Sequence, residues 1–193
     1  MALARIKEVN MLKKILMVLV ILIVIVAVSA AGWLSYMGFF AKVTVIEKQM
    51  GPLTFVYVPF KGDYAKTVPA FEMIRNKLAK EFNITNVKGM GIYYSDPKTT
   101  QTKDLKSDVG CLLDRPEALR ADEIMKKMRV RIMFPKDYCT AEFPMKNNMS
   151  IMLGVMKIYP EMAKYMKAKG YRATPAMEIY EKDKIIYAFE IKK

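Results

Sequence analysis

The sequence predicts an α+β fold: a tandem β-α-β-β repeat, its antiparallel sheets backed by two helices, preceded by a single transmembrane helix. Two observations carry this. No charged residue occurs from Ile15 to Ala41. Beyond that run a short string recurs at a spacing of about 85 residues, Val58-Pro59-Phe60-Lys61-Gly62-Asp63 matching Phe143-Pro144-Met145-Lys146-Asn147-Asn148. A strand-like run precedes each copy and an amphipathic helix follows it, the internal repetition that marks duplicated supersecondary units.

The first element is the apolar run, a transmembrane anchor over 15–41. Ile15–Val28 is almost wholly Ile, Leu, Val and Met. As a helix the run would reach about 40 Å, against a hydrocarbon core of about 30 Å. Trp33, Tyr36, Phe39 and Phe40 gather at its distal end, where an interfacial aromatic belt belongs. Arg5, Lys7, Lys13 and Lys14 precede it. The positive-inside bias therefore keeps residues 1–14 cytoplasmic and places the remainder, 42–193, on the periplasmic or extracellular side. Val28-Ser29-Ala30 also resembles a signal-peptide cleavage site. The length of the run, and the apolar terminus that cleavage would leave at Gly32-Trp33-Leu34, favour the uncleaved anchor.

Repeat one covers about 42–114. Leu53–Pro59 is β-branched and aromatic, a strand. Val68, Phe71, Ile74, Leu78 and Phe82 fall three or four apart, one face of a helix. Lys88–Tyr94 and Asp108–Leu113 are two further strands, separated by the turn Ser95-Asp96-Pro97. A linker over 115–128 holds a short helix. Repeat two, about 129–193, adds a strand at Arg129–Phe134 and leads with Tyr138–Phe143. Ile151, Val155, Ile158 and Met162 mark its helix, which Gly170 ends and Pro175 keeps from continuing. Ala176–Tyr180 and Ile185–Ile191 close as a hairpin. Gly62 and Asn147, at matching places, suit a turn through positive φ. Met145, Met149, Met152, Met156, Met162 and Met166 lie in or near the second helix, where their spacing favours a core role over an adaptable surface.

Composition excludes several chemistries. The chain has no histidine, which removes His-based triads and His-ligated zinc. Its two cysteines, Cys111 and Cys139, are too few for a structural zinc site; they could bridge in an oxidising compartment or stay as buried thiols. No metal and no cofactor is expected. The net charge is +13. Residues before the apolar run carry +3 of it and the rest of the chain +10, a surface drawn to anionic headgroups. Nucleic acid is disfavoured as a partner, because no Arg/aromatic stripe or recognition motif accompanies the charge.

Four strings then point to a family. They are Lys61-Gly62-Asp63-Tyr64, Gly91-Ile92-Tyr93-Tyr94-Ser95-Asp96-Pro97, Leu105-Lys106-Ser107-Asp108-Val109-Gly110 and Met177-Glu178-Ile179-Tyr180. In this order they resemble the GyrI-like small-molecule-binding family, the effector-binding domain of multidrug-sensing activators, a tandem of SHS2 units. The resemblance covers about Val43 to Ile191. It implies an aromatic pocket for cationic, lipophilic ligands with a buried glutamate near the C-terminus. Glu178 matches that glutamate, and Tyr64, Tyr93 and Tyr94 match aromatic positions near the pocket. Asn147-Asn148-Met149 departs from the family's Gly-x-Tyr in the second copy. The apolar run stands where the activators carry a DNA-binding domain, so transcriptional activation is not expected.

Tyr93 and Tyr94 must point to opposite sides of a strand, so at most one lines the pocket. The expected function is a membrane-tethered module binding lipophilic or cationic amphipathic ligands on the concave face between the repeats. One alternative is an interaction protein with a vestigial pocket, which a closed, solvent-free join would favour. Another is a hydrolase of electrophilic ligands with Glu178 as base. Enzymatic activity is disfavoured, since the sequence shows no nucleophile–base pair and no catalytic residue is assigned.

Overall fold

The apolar run is rich in Leu, Ile, Val and Met and is interrupted by neither proline nor charge, and it lies within a helix, α1 (Ala2–Tyr36). The computed structural model describes residues 2–193, with side chains from residue 10 onward; the side chains of Arg5, Lys7 and Glu8 lie outside those described. Its stretch Asn10–Tyr36, whose most apolar 18-residue window has a mean hydropathy of 3.1, is long and apolar enough to cross a membrane. The helix stops short of Ala41. Gly38 takes φ +81°, Gly38 N–H donates to Ser35 and Phe39 N–H to Leu34. This left-handed cap ends the helix at Tyr36.

The chain divides into two compact units, 1–42 and 43–193. The second contains β1 (Ile46–Met50), β2 (Leu53–Lys61), α2 (Val68–Phe82), β3 (Lys88–Tyr93) and β4 (Lys106–Leu113). Then come α3 (Arg115–Ala118), α4 (Ala121–Met125), β5 (Arg129–Met133), β6 (Lys136–Pro144), α5 (Asn148–Ala168), β7 (Ala176–Tyr180) and β8 (Lys184–Glu190). The strands form one curled antiparallel sheet in the order β1-β6-β8-β7-β3-β4-β2-β5. Repeat one supplies β3-β4-β2, repeat two supplies β6-β8-β7, and β3 pairs with β7 at the join.

Strand β1 was not expected. It runs into β2 yet pairs with β6, Ile46 opposite Thr140. Strand β5 runs into β6 yet pairs with β2, Leu53 opposite Met133. Each repeat is therefore β-β-α-β-β, and its first strand edges the other repeat's half of the sheet.

Both long helices cover the same face. Ile74, Leu78 and Phe82 of α2 pack on Val56, Cys111 and Leu113. Leu153, Ile158, Met162 and Met166 of α5 are buried likewise. On the helix-free face Phe55, Met90, Leu112, Met177, Ile179 and Ala188 bury one another, which the curl of the sheet permits. Gly154 brings α5 close to β8: a Cβ there would lie 2.3 Å from the Tyr187 hydroxyl.

Two expectations need correcting. Gly62 does take positive φ (+132°), but Asn147 is extended at φ −164°. It serves as a helix N-cap: its side chain accepts from Met149 N–H, and Ser150 answers with a capping-box bond. The methionines also divide. Met162 and Met166 are buried, whereas Met149, Met152 and Met156 face solvent. Cys111 and Cys139 are both free and buried. Their strands, β4 and β6, are separated by three others, about 19 Å at the usual strand spacing and far beyond disulfide reach.

Candidate ligand-binding site

Residues on one face of the central strand pair meet the two helices. Alternation puts Glu178 and Tyr180 of β7 on the side of Gly89, Gly91 and Tyr93 of β3, with Gly91 directly opposite Glu178. Gly91 is needed here: a Cβ would come within 2.8 Å of the Tyr93 hydroxyl. Without one, Tyr93 lies across β3 and its hydroxyl meets that of Tyr180 at 2.9 Å.

Glu178 is 3% exposed. Its Oε1 accepts from Tyr159 OH of α5 at 2.6 Å, and its Oε2 accepts from Tyr180 OH at 2.5 Å. With the Tyr180 proton committed to the carboxylate, Tyr93 OH donates to Tyr180, and the hydroxyls form a relay ending on Glu178. Aromatic edges enclose it. Tyr64 meets Tyr93 with ring centroids 4.8 Å apart, Phe71 meets Tyr180 at 5.6 Å, and Tyr159 meets Tyr187 at 5.9 Å.

No cation lies against this carboxylate among the described ion pairs. Burial pushes the Glu178 carboxyl up, and the hydroxyls of Tyr159 and Tyr180 hold it partly back. Burial, then the neighbouring Glu178 charge, raises Tyr93, Tyr159, Tyr180 and Tyr187. Ser107 stands opposite Tyr93 across β3 and β4; its hydroxyl is buried without a hydrogen-bond partner.

Of the four residues singled out from sequence, three come together. Tyr64 joins through its ring, while its hydroxyl donates to the Lys106 carbonyl (2.9 Å) and accepts from Ser95 N–H (3.1 Å). Tyr94 does not join. It lies past the end of β3, where its hydroxyl donates to Asp108 Oδ2 at 2.6 Å, in an ion pair with Arg131. The site lies on the face of the sheet that α2 and α5 cover, at the join of the two repeats where β3 pairs with β7. Sequence reasoning missed both donors to Glu178. Tyr180 could have been found, two residues on along the strand and hence on the same face. Tyr159 carries no local signal, since only the packing of α5 brings it there. Among the described residues no group of three Cys, Asp or Glu gathers to hold a metal.

Residues 44–186 match the family described as GyrI-like small molecule binding domain. The chain belongs to that family. It is 28% identical over 105 residues to testis-expressed protein 264 homolog of Mus musculus, covering 51% of this chain and 34% of that protein. Against testis-expressed protein 264 of Homo sapiens it is 26% identical over 163 residues, 79% of this chain and 50% of that one. The GyrI-like chain thus spans no more than half the length of either relative. Among solved structures, the EcmrR C-terminal domain superposes with TM-score 0.56 at 10% identity, covering 78% of this chain and 98% of that one. EcmrR in a DNA complex gives 0.57 at 11%, covering 86% and 64%. At such identity these structures bear on fold alone, and the fold they share is the duplicated sheet described above.

Proposed function

We propose that the GyrI-like unit binds lipophilic, cationic small molecules at Glu178, and that α1 holds it at a membrane as an uncleaved anchor. The carrying observation is a buried carboxylate that has hydrogen-bond donors on both oxygens and, among the described residues, no counter-charge. Such a group is costly to bury ionised. An incoming cation relieves that cost as a neutral ligand cannot, because attraction grows as the dielectric falls. Tyrosine faces suit a cation as well, and the orphan Ser107 hydroxyl offers a ligand one polar contact.

Binding requires the cluster to open, since Glu178 is sealed as it stands; a cavity of about 310 Å³ lies elsewhere, lined by Glu47, Asp137 and Tyr171. Tyr159 is the movable wall. Pro160, next to it inside α5, has no N–H to offer the Met156 carbonyl, so the helix is softest there. A mostly closed site lowers the apparent affinity by the fraction open.

Closure also favours a second reading, an interaction domain whose ligand site is vestigial. A hydrolase with Glu178 as base would need a water between carboxyl and substrate, and is the weakest of the three.

Tetraphenylphosphonium and tetraphenylborate share a shape and differ in sign. In uncharged nanodiscs the full chain is expected to bind the cation saturably and refuse the anion, and Glu178→Gln is expected to lose the preference. Equal uptake of both ions by both proteins would hand the function to the interaction reading. For orientation, Lys13 and Lys14 with the residues before them support a cytoplasmic N-terminus. Lys193→Cys should then react with an impermeant thiol reagent in intact cells, against a quiet background: burial pushes the Cys111 thiol up to about 12. Reaction only after lysis would reverse the topology.

A further inference from the structure

Helix α5 turns an apolar face to solvent. Met149, Met152, Val155 and Met156 are all exposed, Met156 at 64%, while Leu153, Gly154, Ile158 and Met162 face the sheet. At 3.6 residues per turn Met149, Met152 and Met156 share one stripe, bordered by Tyr159. A helix on a water-facing surface would present polar residues there. The charges match the stripe: α5 carries Lys157, Lys164 and Lys167, one acid, Glu161, and none in its first turn. Lys146 stands just ahead of it. Apolar residues bordered along one side by lysines suit a helix that lies in a membrane interface, lysine stems along the apolar surface and ammonium groups among the headgroups.

We propose that this outer face of α5 beds into the surface of an anionic bilayer. The proposal rests on reading α1 as membrane-inserted, which keeps lipid within reach: only residues 37–45 separate α1 from β1. The +10 surplus of the rest of the chain draws the same lipids. A second copy fits the face less well, since an α5–α5 pair would set lysines against lysines. Because the stripe borders Tyr159, lipophilic compounds dissolved in the interface would meet the wall of the Glu178 site directly.

Brominated lipids quench tryptophan at short range, and the chain has one tryptophan, Trp33 in α1. The full chain is reconstituted in vesicles of brominated phosphatidylcholine with or without phosphatidylglycerol. Wild-type quenching at Trp33 reports insertion of α1. In a Trp33→Phe background, Met152→Trp reports the α5 face. Phe134→Trp, an exposed position beyond β5 at the opposite edge of the sheet, serves as control. Quenching at 152 is expected to exceed that at 134 at least twofold in anionic vesicles, and to weaken in neutral ones or at high salt. Equal quenching at 152 and 134, with Trp33 quenched, would overturn the docking proposal and leave the anchor standing. A cross-link between copies through Met156→Cys in place of quenching would give the face to a second copy and likewise overturn it. Unquenched Trp33 would sink the anchor reading separately, and the comparison of 152 with 134 would still decide the face.

Discussion

Glu178 puts two opposed effects on one side chain, burial raising its carboxyl and two tyrosine hydroxyls lowering it, and burial prevails. Because its folded value lies above the unfolded one, the fold favours the protonated form. That stability is complete at acid pH and is lost as pH rises through the folded value. Glu178→Gln removes the titration and keeps the shape. Its thermal midpoint should therefore gain on the wild type's between acid and neutral pH; parallel curves would mean that Glu178 titrates as in an unfolded chain. The two neighbouring tyrosines offer a sharper comparison. Tyr93→Phe deletes the outer donor of the relay and should weaken cation binding by about 1 kcal/mol, roughly fivefold. Tyr94→Phe touches only the Asp108–Arg131 pair and should leave binding unchanged. Equal losses in a dye titration would dissolve the distinction. Sequence supplied the alternative, opposite sides of one strand, but not which residue faced the glutamate, because that depends on what covers each face.

At the scale of elements, local pattern was enough wherever one strand or helix decides its own form. The apolar spacing from Val68 to Phe82 gave α2 its observed limits, and Ala176–Tyr180 matched β7. What failed were the non-local choices. Strand β1 has an ordinary mixed composition, and its place is set by pairing with β6 in the other repeat, a contact no local window contains. Asn147 looked like a left-handed turn residue by analogy with Gly62. Its side chain found the Met149 N–H instead, and capping needs no positive φ. The seat of α5 can be tested at Gly154. Gly154→Ala drives a Cβ toward the fully buried Tyr187 hydroxyl and should cost about 1–3 kcal/mol in chemical denaturation. Combining it with Tyr187→Phe should recover part of the loss, since the nearest remaining atoms stand 3.1 Å and 3.2 Å away. Simple additivity of the two changes would place α5 off that contact.

For the whole molecule, the duplication explains both architecture and site. Two like units joined through β3 and β7 put equivalent strands side by side, and the exchanged edge strands β1 and β5 tie each half to the other. Divergence within that symmetry makes the site: Gly91 on one strand faces Glu178 on the other, and the Tyr93 ring occupies the room the glycine leaves. The repeat was legible in the Val-Pro-Phe-Lys and Phe-Pro-Met-Lys strings, and the glutamate in its resemblance to the family. Which side of the sheet would hold the site was not, since that depends on both helices packing on one face. A basic surplus of +10 repels cations at long range, yet at physiological salt its field decays over about 8 Å, and inside the cluster the local carboxylate governs. Titration of a lipophilic cationic dye against wild type and Glu178→Gln, from acid to neutral pH, decides whether the Glu178 carboxylate draws the ligand. Wild-type binding should strengthen as pH rises and Glu178 ionises, while Glu178→Gln stays weak and flat. Equal binding by both proteins at every pH, or none by either, would contradict it.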